Sequence, residues 1–178
     1  LDALRDAMDE WLNASNDLGF VPETELDNYV PSRHPALKAR ADRKYHVNES
    51  EQGALIFGRP LRHWIKELNG DDVLRRYRAM ATIRLCDSDV RALMSEAVED
   101  FDECIVHWAA IGLPGAKSQA TTLSLMKALN RHSATVSLAA ARGLIKRGAA
   151  TETALKLMRD PDIFVRLAVQ NVGVDVDA

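Results

Sequence analysis

Apolar residues recur at three- and four-residue steps at the start of the chain: Leu1, Leu4, Met8, Trp11 and Leu12, with Asp2, Asp6, Asp9 and Glu10 on other faces. That period is the one a helix imposes on a buried stripe. It predicts a helix within residues 1–20, ended at Leu18-Gly19, because glycine reaches the left-handed conformation that closes helices. The stripe must find something to cover it. From residue 21 to 57 the pattern breaks. Pro22, Pro31 and Pro35 remove backbone donors and restrict the residues before them, and polar runs such as Asn48-Glu49-Ser50-Glu51-Gln52 replace the periodicity. This segment reads as an extended connector joining two units, with a short helix around Ala36 to Arg43.

From residue 58 to 178 the pattern is helical again. Pro60 suits a first-turn position, and Leu61, Trp64, Ile65 and Leu68 form the stripe behind it. Asn69-Gly70 ends that helix and Asp71-Asp72 caps the next. Three later stretches then resemble one another: Ile105 to Leu113, Val136 to Leu144, and Val165 to Gly173. Each opens on a β-branched residue, and the first two place small residues four and five positions on. The first two are followed by second apolar patterns, one with Ala120, Leu123, Leu125, Met126 and Leu129, the other with Ala154, Leu155, Leu157 and Met158. Leu113-Pro114-Gly115 and Arg147-Gly148 supply turns within units, and Asn130-Arg131-His132-Ser133 and Asp160-Pro161-Asp162 link them. The unit is a helical hairpin repeated about every thirty residues. Ala109, Ala110, Ala139, Ala140 and Ala141 let its helices approach closely. A weaker earlier unit runs from Val73 to Leu85 and Val90 to Val98, interrupted by Arg75, Arg76 and Arg78, and the last keeps only its first helix.

Asp-Pro-Asp-x-x-Val-Arg-Leu-Ala at 160–168 resembles HEAT-type repeats. Val-His-Trp-Ala-Ala-Ile-Gly-Leu at 106–113, Leu4 to Trp11 and Asp17-Leu-Gly-Phe-Val-Pro-Glu23 together resemble the tail of certain bacterial sulfatases of the heparan N-sulfatase (N-sulfoglucosamine sulfohydrolase) type, with residues 24–57 matching least. The resemblance implies an all-α fold: a short α-solenoid of HEAT-like repeats at 58–178, after a connector at 21–57 and a helix at 1–20 from the edge of an upstream catalytic domain. It implies a non-catalytic C-terminal region of a hydrolase acting on sulfated glycans, serving packing, oligomer contact or substrate access. Its partner would be that catalytic domain, another protein or a second copy. Calcium would belong to the parent enzyme, and the location would be periplasmic or secreted. The competing expectation is a free-standing HEAT-type adaptor for protein–protein interaction.

Composition narrows the picture without changing it. At 178 residues, 47% hydrophobic, 28% charged and only 6% aromatic, the chain suits one globular domain with an appendage, its core built from Ala, Leu, Val and Met. A net charge of -3 gives no reason to expect a nucleic-acid partner. No apolar run approaches the ~20 residues of a membrane span. The polar opening, Leu1-Asp2-Ala3-Leu4-Arg5-Asp6, lacks a Met and a signal peptide, so a fragment is expected.

Catalytic, cofactor and metal residues are expected to be none. Sulfatases of this kind carry Cys-x-Pro-Ser-Arg, whose Cys or Ser becomes a formylglycine beside calcium. Here Tyr29-Val30-Pro31-Ser32-Arg33 puts a tyrosine, which cannot become an aldehyde, at that position. His34, His46, His63, His107 and His132 show no zinc-ligand spacing, and no serine sits in a nucleophile elbow. Cys86 and Cys104 match no metal motif and read as small buried hydrophobes. Glu96, Glu99, Asp100, Asp102 and Glu103 read as a helix cap at Asp102 plus a solvated face, not a calcium loop. Arg75, Arg76, Arg78 and Arg84 read as ordinary surface pairing rather than an anion-binding face.

Overall fold

The computed structural model describes residues 2–15, 18–22, 44–86, 90–113, 118–149 and 152–161, with Ile163 and Arg166. These residues form eight helices and one two-stranded sheet, so the chain is mostly helical, as expected. Outside them lie Tyr29 to Arg33, the short helix expected at Ala36 to Arg43, the turn after Leu113, and the last repeat stretch except Arg166. The chain divides into two compact units, Leu1–Val90 and Arg91–Ala178. That division falls later than the composition shift near residue 58, because the first helix and residues 44–60 make their bonds to residues 59–78.

The first unit contains α1 (Asp2–Ala14), a hairpin of β1 (Leu55–Ile56) and β2 (Arg59–Pro60), α2 (Leu61–Leu68) and α3 (Val73–Ile83). The hairpin stands where an extended connector was expected to end. Its two-residue turn, Phe57-Gly58, has φ of 51° and 79°, the doubly left-handed geometry that matches the twist of the flanking strands. Pro60 is the N-cap of α2, one place before the first turn. Residues 44–48 are likewise folded in. The Asn69 side-chain amide accepts from the Tyr45 backbone N–H at 2.7 Å and donates to the Tyr45 carbonyl at 2.8 Å, and the Tyr45 ring is buried with Leu61, Trp64, Leu68, Tyr77, Met80 and Ile83. Asp72 caps α3 by accepting from the Arg75 N–H at 3.0 Å.

In the second unit lie α4 (Arg91–Ala97), α5 (Glu103–Gly112), α6 (Gln119–Leu129), α7 (Ala134–Lys146) and α8 (Glu152–Leu157). Here α5 packs on α7 and α4 on α6, while α6 and α7 also pair, as do α7 and α8. The short side chains Ala109, Ala110, Ala139, Ala140 and Ala141 are all buried, with Ile105, Leu113, Leu125 and Leu144 filling the spaces between them. Small residues let the helix backbones close up, and the larger ones interdigitate. Side-chain caps fix where α5, α6 and α7 begin: Asp102 accepts from Cys104 N–H at 3.0 Å, Ser118 from Thr121 N–H at 3.2 Å and Ser133 from Val136 N–H at 3.4 Å. Gly148, at φ 66°, ends α7 where Arg147-Gly148 is read as a turn.

Replacing Ala109 or Ala140 with Arg forces a long cation into this closed α5–α7 interface. Either change is expected to cost roughly 3 kcal/mol or more and to lower the melting temperature sharply by circular dichroism. An unchanged melting temperature would show that the two alanines do not form the contact.

Candidate functional site

The first helix is held by its carboxylates. With 13 residues, α1 is at the length where an isolated helix is marginal in water, so it depends on docking. Asp6 and Asp9 lie three positions apart and therefore on one face. Both reach the same guanidinium: Arg59 Nη2 is 2.6 Å from Asp6 Oδ1 and 2.7 Å from Asp9 Oδ2. The other Asp9 oxygen lies 3.5 Å from Arg78 Nη1. Arg78 is buried and its guanidinium carbon stands 6.0 Å from the Trp64 ring centroid, at the outer reach of a cation–π contact. Trp64 in turn donates its indole N–H to the Ile56 carbonyl at 3.3 Å, tying α2 to the hairpin.

Because the acidic face docks, the apolar face does not. Leu4 is 73% exposed, and Met8 and Trp11 are each 63% exposed. The sequence pattern places these residues correctly on one stripe, but Leu4, Met8 and Trp11 face solvent and Leu12 is half-buried. The hairpin tip exposes apolar side chains of its own. The Arg5 guanidinium lies against Gly58, where a Cβ would stand 2.5 Å from Nη1, so the turn sits beside the first turns of α1. Leu55 and Phe57 on that tip are 71% and 64% exposed. A left-handed conformation costs a β-carbon residue roughly 1–2 kcal/mol. Phe57 is therefore a large apolar side chain held outward at a strained position, which is the kind of feature that gathers at binding surfaces.

Charge is buried along α3. Arg76 and Arg78 are buried, correcting the expectation that they pair on the surface, whereas Arg75 does so with Glu67 and Asp72 at 3.8 and 3.7 Å. The reason for Arg76 is local: its Nε donates at 3.2 Å to the Leu68 carbonyl, one of the acceptors left open at the C-terminus of α2. Burial works against the charge of Arg59, but the Asp6 hydrogen bond and the Asp9 and Asp6 charges outweigh it and raise its pKa. Burial, joined by the Arg59 charge, pushes His63 below the ordinary imidazole range, against the opposite pull of Glu67 and Asp9. Burial alone lowers Arg84.

The remaining residues weighed in the sequence do not converge. His46 and His132 are exposed, while His107 is half-buried, with its ring edge-on to Trp108. His34 lies outside the described residues. Among the described residues no three His, Cys, Asp or Glu side chains gather as metal ligands. Cys104 is buried and Cys86 half-buried, and neither forms a disulfide. The acidic run divides into separate tasks. Asp102 caps α5, Asp100 accepts from the Asp102 N–H at 2.9 Å, Glu99 pairs with Lys127, and Glu103 takes a forked contact from Arg131 at 2.8–3.1 Å. No described helix is long and apolar enough to cross a membrane.

The Asp9→Asn variant weakens the hold on Arg59 and strips Arg78 of its ion pair. We expect it to destabilise the docking of α1 by about 1–3 kcal/mol and to speed amide exchange across α1 while leaving α6 and α7 unchanged. Unaltered exchange in α1 would show that these carboxylates do not hold it. No family model, curated protein or solved structure matches this chain.

Proposed function

We propose that this chain is the non-catalytic C-terminal helical-repeat region of a sulfatase-like hydrolase acting on sulfated glycans, and that α1 docks it onto the catalytic domain ahead of it. The observation that carries the reading is the outward face of α1. Leu4, Met8 and Trp11 are exposed on a helix fixed in place through its other side. Burying Leu4 or Met8 is worth roughly 1.5–3 kcal/mol each, and an exposed Trp is a frequent anchor at protein interfaces. A face of this kind fits a neighbouring protein body better than it fits open solvent.

The second unit supports the repeat side of the proposal. Stacking α5 on α7 and α4 on α6 is the arrangement expected when like helices of successive hairpins lie side by side. In this reading the stack is a spacer or an oligomer contact, and the nucleophile and calcium belong to the preceding domain. Export to the periplasm or the exterior follows from the parent enzyme. A free-standing HEAT-type adaptor would use the same apolar face, and the coding sequence separates the two. A Cys-x-Pro-Ser-Arg or Ser-x-Pro-Ser-Arg motif is expected several hundred codons upstream in the same reading frame, with no aryl-sulfate hydrolysis by the 178-residue chain itself. A start codon immediately before Leu1, or turnover by this chain, would overturn the proposal.

A further inference from the structure

Two guanidiniums from different elements converge on one carboxylate. Arg59 comes from β2 and Arg78 from α3, and the Asp9 side chain lies between them. The fit is uneven. Asp9 Oδ2 meets Arg59 Nη2 at 2.7 Å, but its Oδ1 stays 3.5 Å from Arg78 Nη1, too far for a good hydrogen bond. The Arg78 side chain is only 8% exposed. Among the described residues, its Nε and Nη1 are buried with no hydrogen-bond partner, and so is Nε2 of His63. His63 belongs to the same cluster, where the charges acting on it are those of Arg59, Glu67, Asp9 and Arg78. Of these, Glu67 is already shared with Arg75 at 3.8 Å. Native proteins rarely leave buried donors unmatched, and a buried cation calls for a well-placed anion. Asp9 supplies the charge but, tethered to α1, does not fill the donors.

We propose that Arg59 and Arg78 form a site for a tetrahedral oxyanion, sulfate or phosphate, which Asp9 occupies from within and from which such an anion displaces α1. An arginine fork matches an oxyanion through paired N–H bonds, and a free anion settles between two forks without carrying a helix. Its further oxygens reach the donors that Asp9 leaves open on Arg78, and on His63 in the tautomer that protonates Nε2. The way in lies beside Arg59 and Asp6, whose side chains are 27% and 63% exposed. A helix of 13 residues is marginal alone, so α1 detaches once Asp9 loses its place. Helix and anion exclude one another, and weakening either strengthens the hold of the other. The site goes beyond the reading given above and holds whether or not a catalytic domain precedes the chain.

The test uses the whole chain, with amide exchange in α1 read against α6 and α7 as sodium sulfate replaces sodium chloride at constant ionic strength. Sulfate is expected to speed exchange in α1 at least fivefold and to saturate, with α6 and α7 unchanged. Sodium phosphate and glucose 6-sulfate repeat the titration. A response to the sugar below the concentration needed for inorganic sulfate supports the site with a glycan as its source, and the reverse order supports it with a free anion. In calorimetric titration, Asp9→Asn is expected to bind sulfate at least fivefold more tightly than the wild type, and Asp9→Asn/Arg78→Gln to lose that binding. Asp6→Asn, which leaves Asp9 in place, is expected to tighten binding in the same direction should Asp9→Asn fail to fold. Equal exchange in sulfate and chloride would reduce the effect to screening and overturn the proposal. So would sulfate affinity left unchanged by Asp9→Asn, since helix and anion would then not compete, or binding that survives the loss of Arg78.

Discussion

The carboxylate of Asp9, set between Arg59 and Arg78, is the contact on which the first unit depends. One of its oxygens shares Arg59 with Asp6, and the other approaches a buried guanidinium resting near Trp64. A buried cation without a nearby anion is costly, so Arg78 needs Asp9 as much as α1 needs an anchor. The same contact fixes the rotation of α1 about its axis. Once Asp6 and Asp9 face the hairpin, helical geometry turns Leu4, Met8 and Trp11 away from it. The exposed apolar face follows from how the helix is held.

The second unit is stabilised by different means. Its helices close on buried alanines, and short polar side chains set their starting points. Polar contacts between residues about one repeat apart join its ends: Glu103 with Arg131, Glu99 with Lys127, and the Arg147 guanidinium with the Ser118 carbonyl at 2.8 Å. Exposed pairs of this kind add little stability singly. Their value is positional, because they link successive hairpins at separations close to the spacing of the apolar pattern.

Much of this was legible in the sequence, and the misses have physical causes. Asp72 and Asp102 announce helix starts because a short acceptor before an apolar run does one local thing well. The burial of Ala109 and Ala140 follows from periodicity alone. Periodicity shows which residues share a face, however, and not which face docks. The grip of Asp6 and Asp9 depends on Arg59 and Arg78, which are remote in sequence. The hairpin is not legible in the sequence because two-residue strands have no period, and its turn carries Phe57 where asparagine is usual. Arg76 and Arg78 looked like surface residues because charge is normally solvated; the Leu68 carbonyl and the Trp64 ring that receive them become neighbours only after folding.

Hydroxyl-radical footprinting of the intact chain tests most directly whether α1 turns its apolar face outward. Methionine and tryptophan oxidise according to their access to solvent, and the chain carries its own references in Met80 and Met94, both buried. Met8 and Trp11 are predicted to oxidise many times faster than Met80, Met94 and Trp64. Protection of Met8 and Trp11 to the level of those buried residues would contradict the account, because α1 would then bury its apolar stripe within the chain and present its carboxylates to solvent.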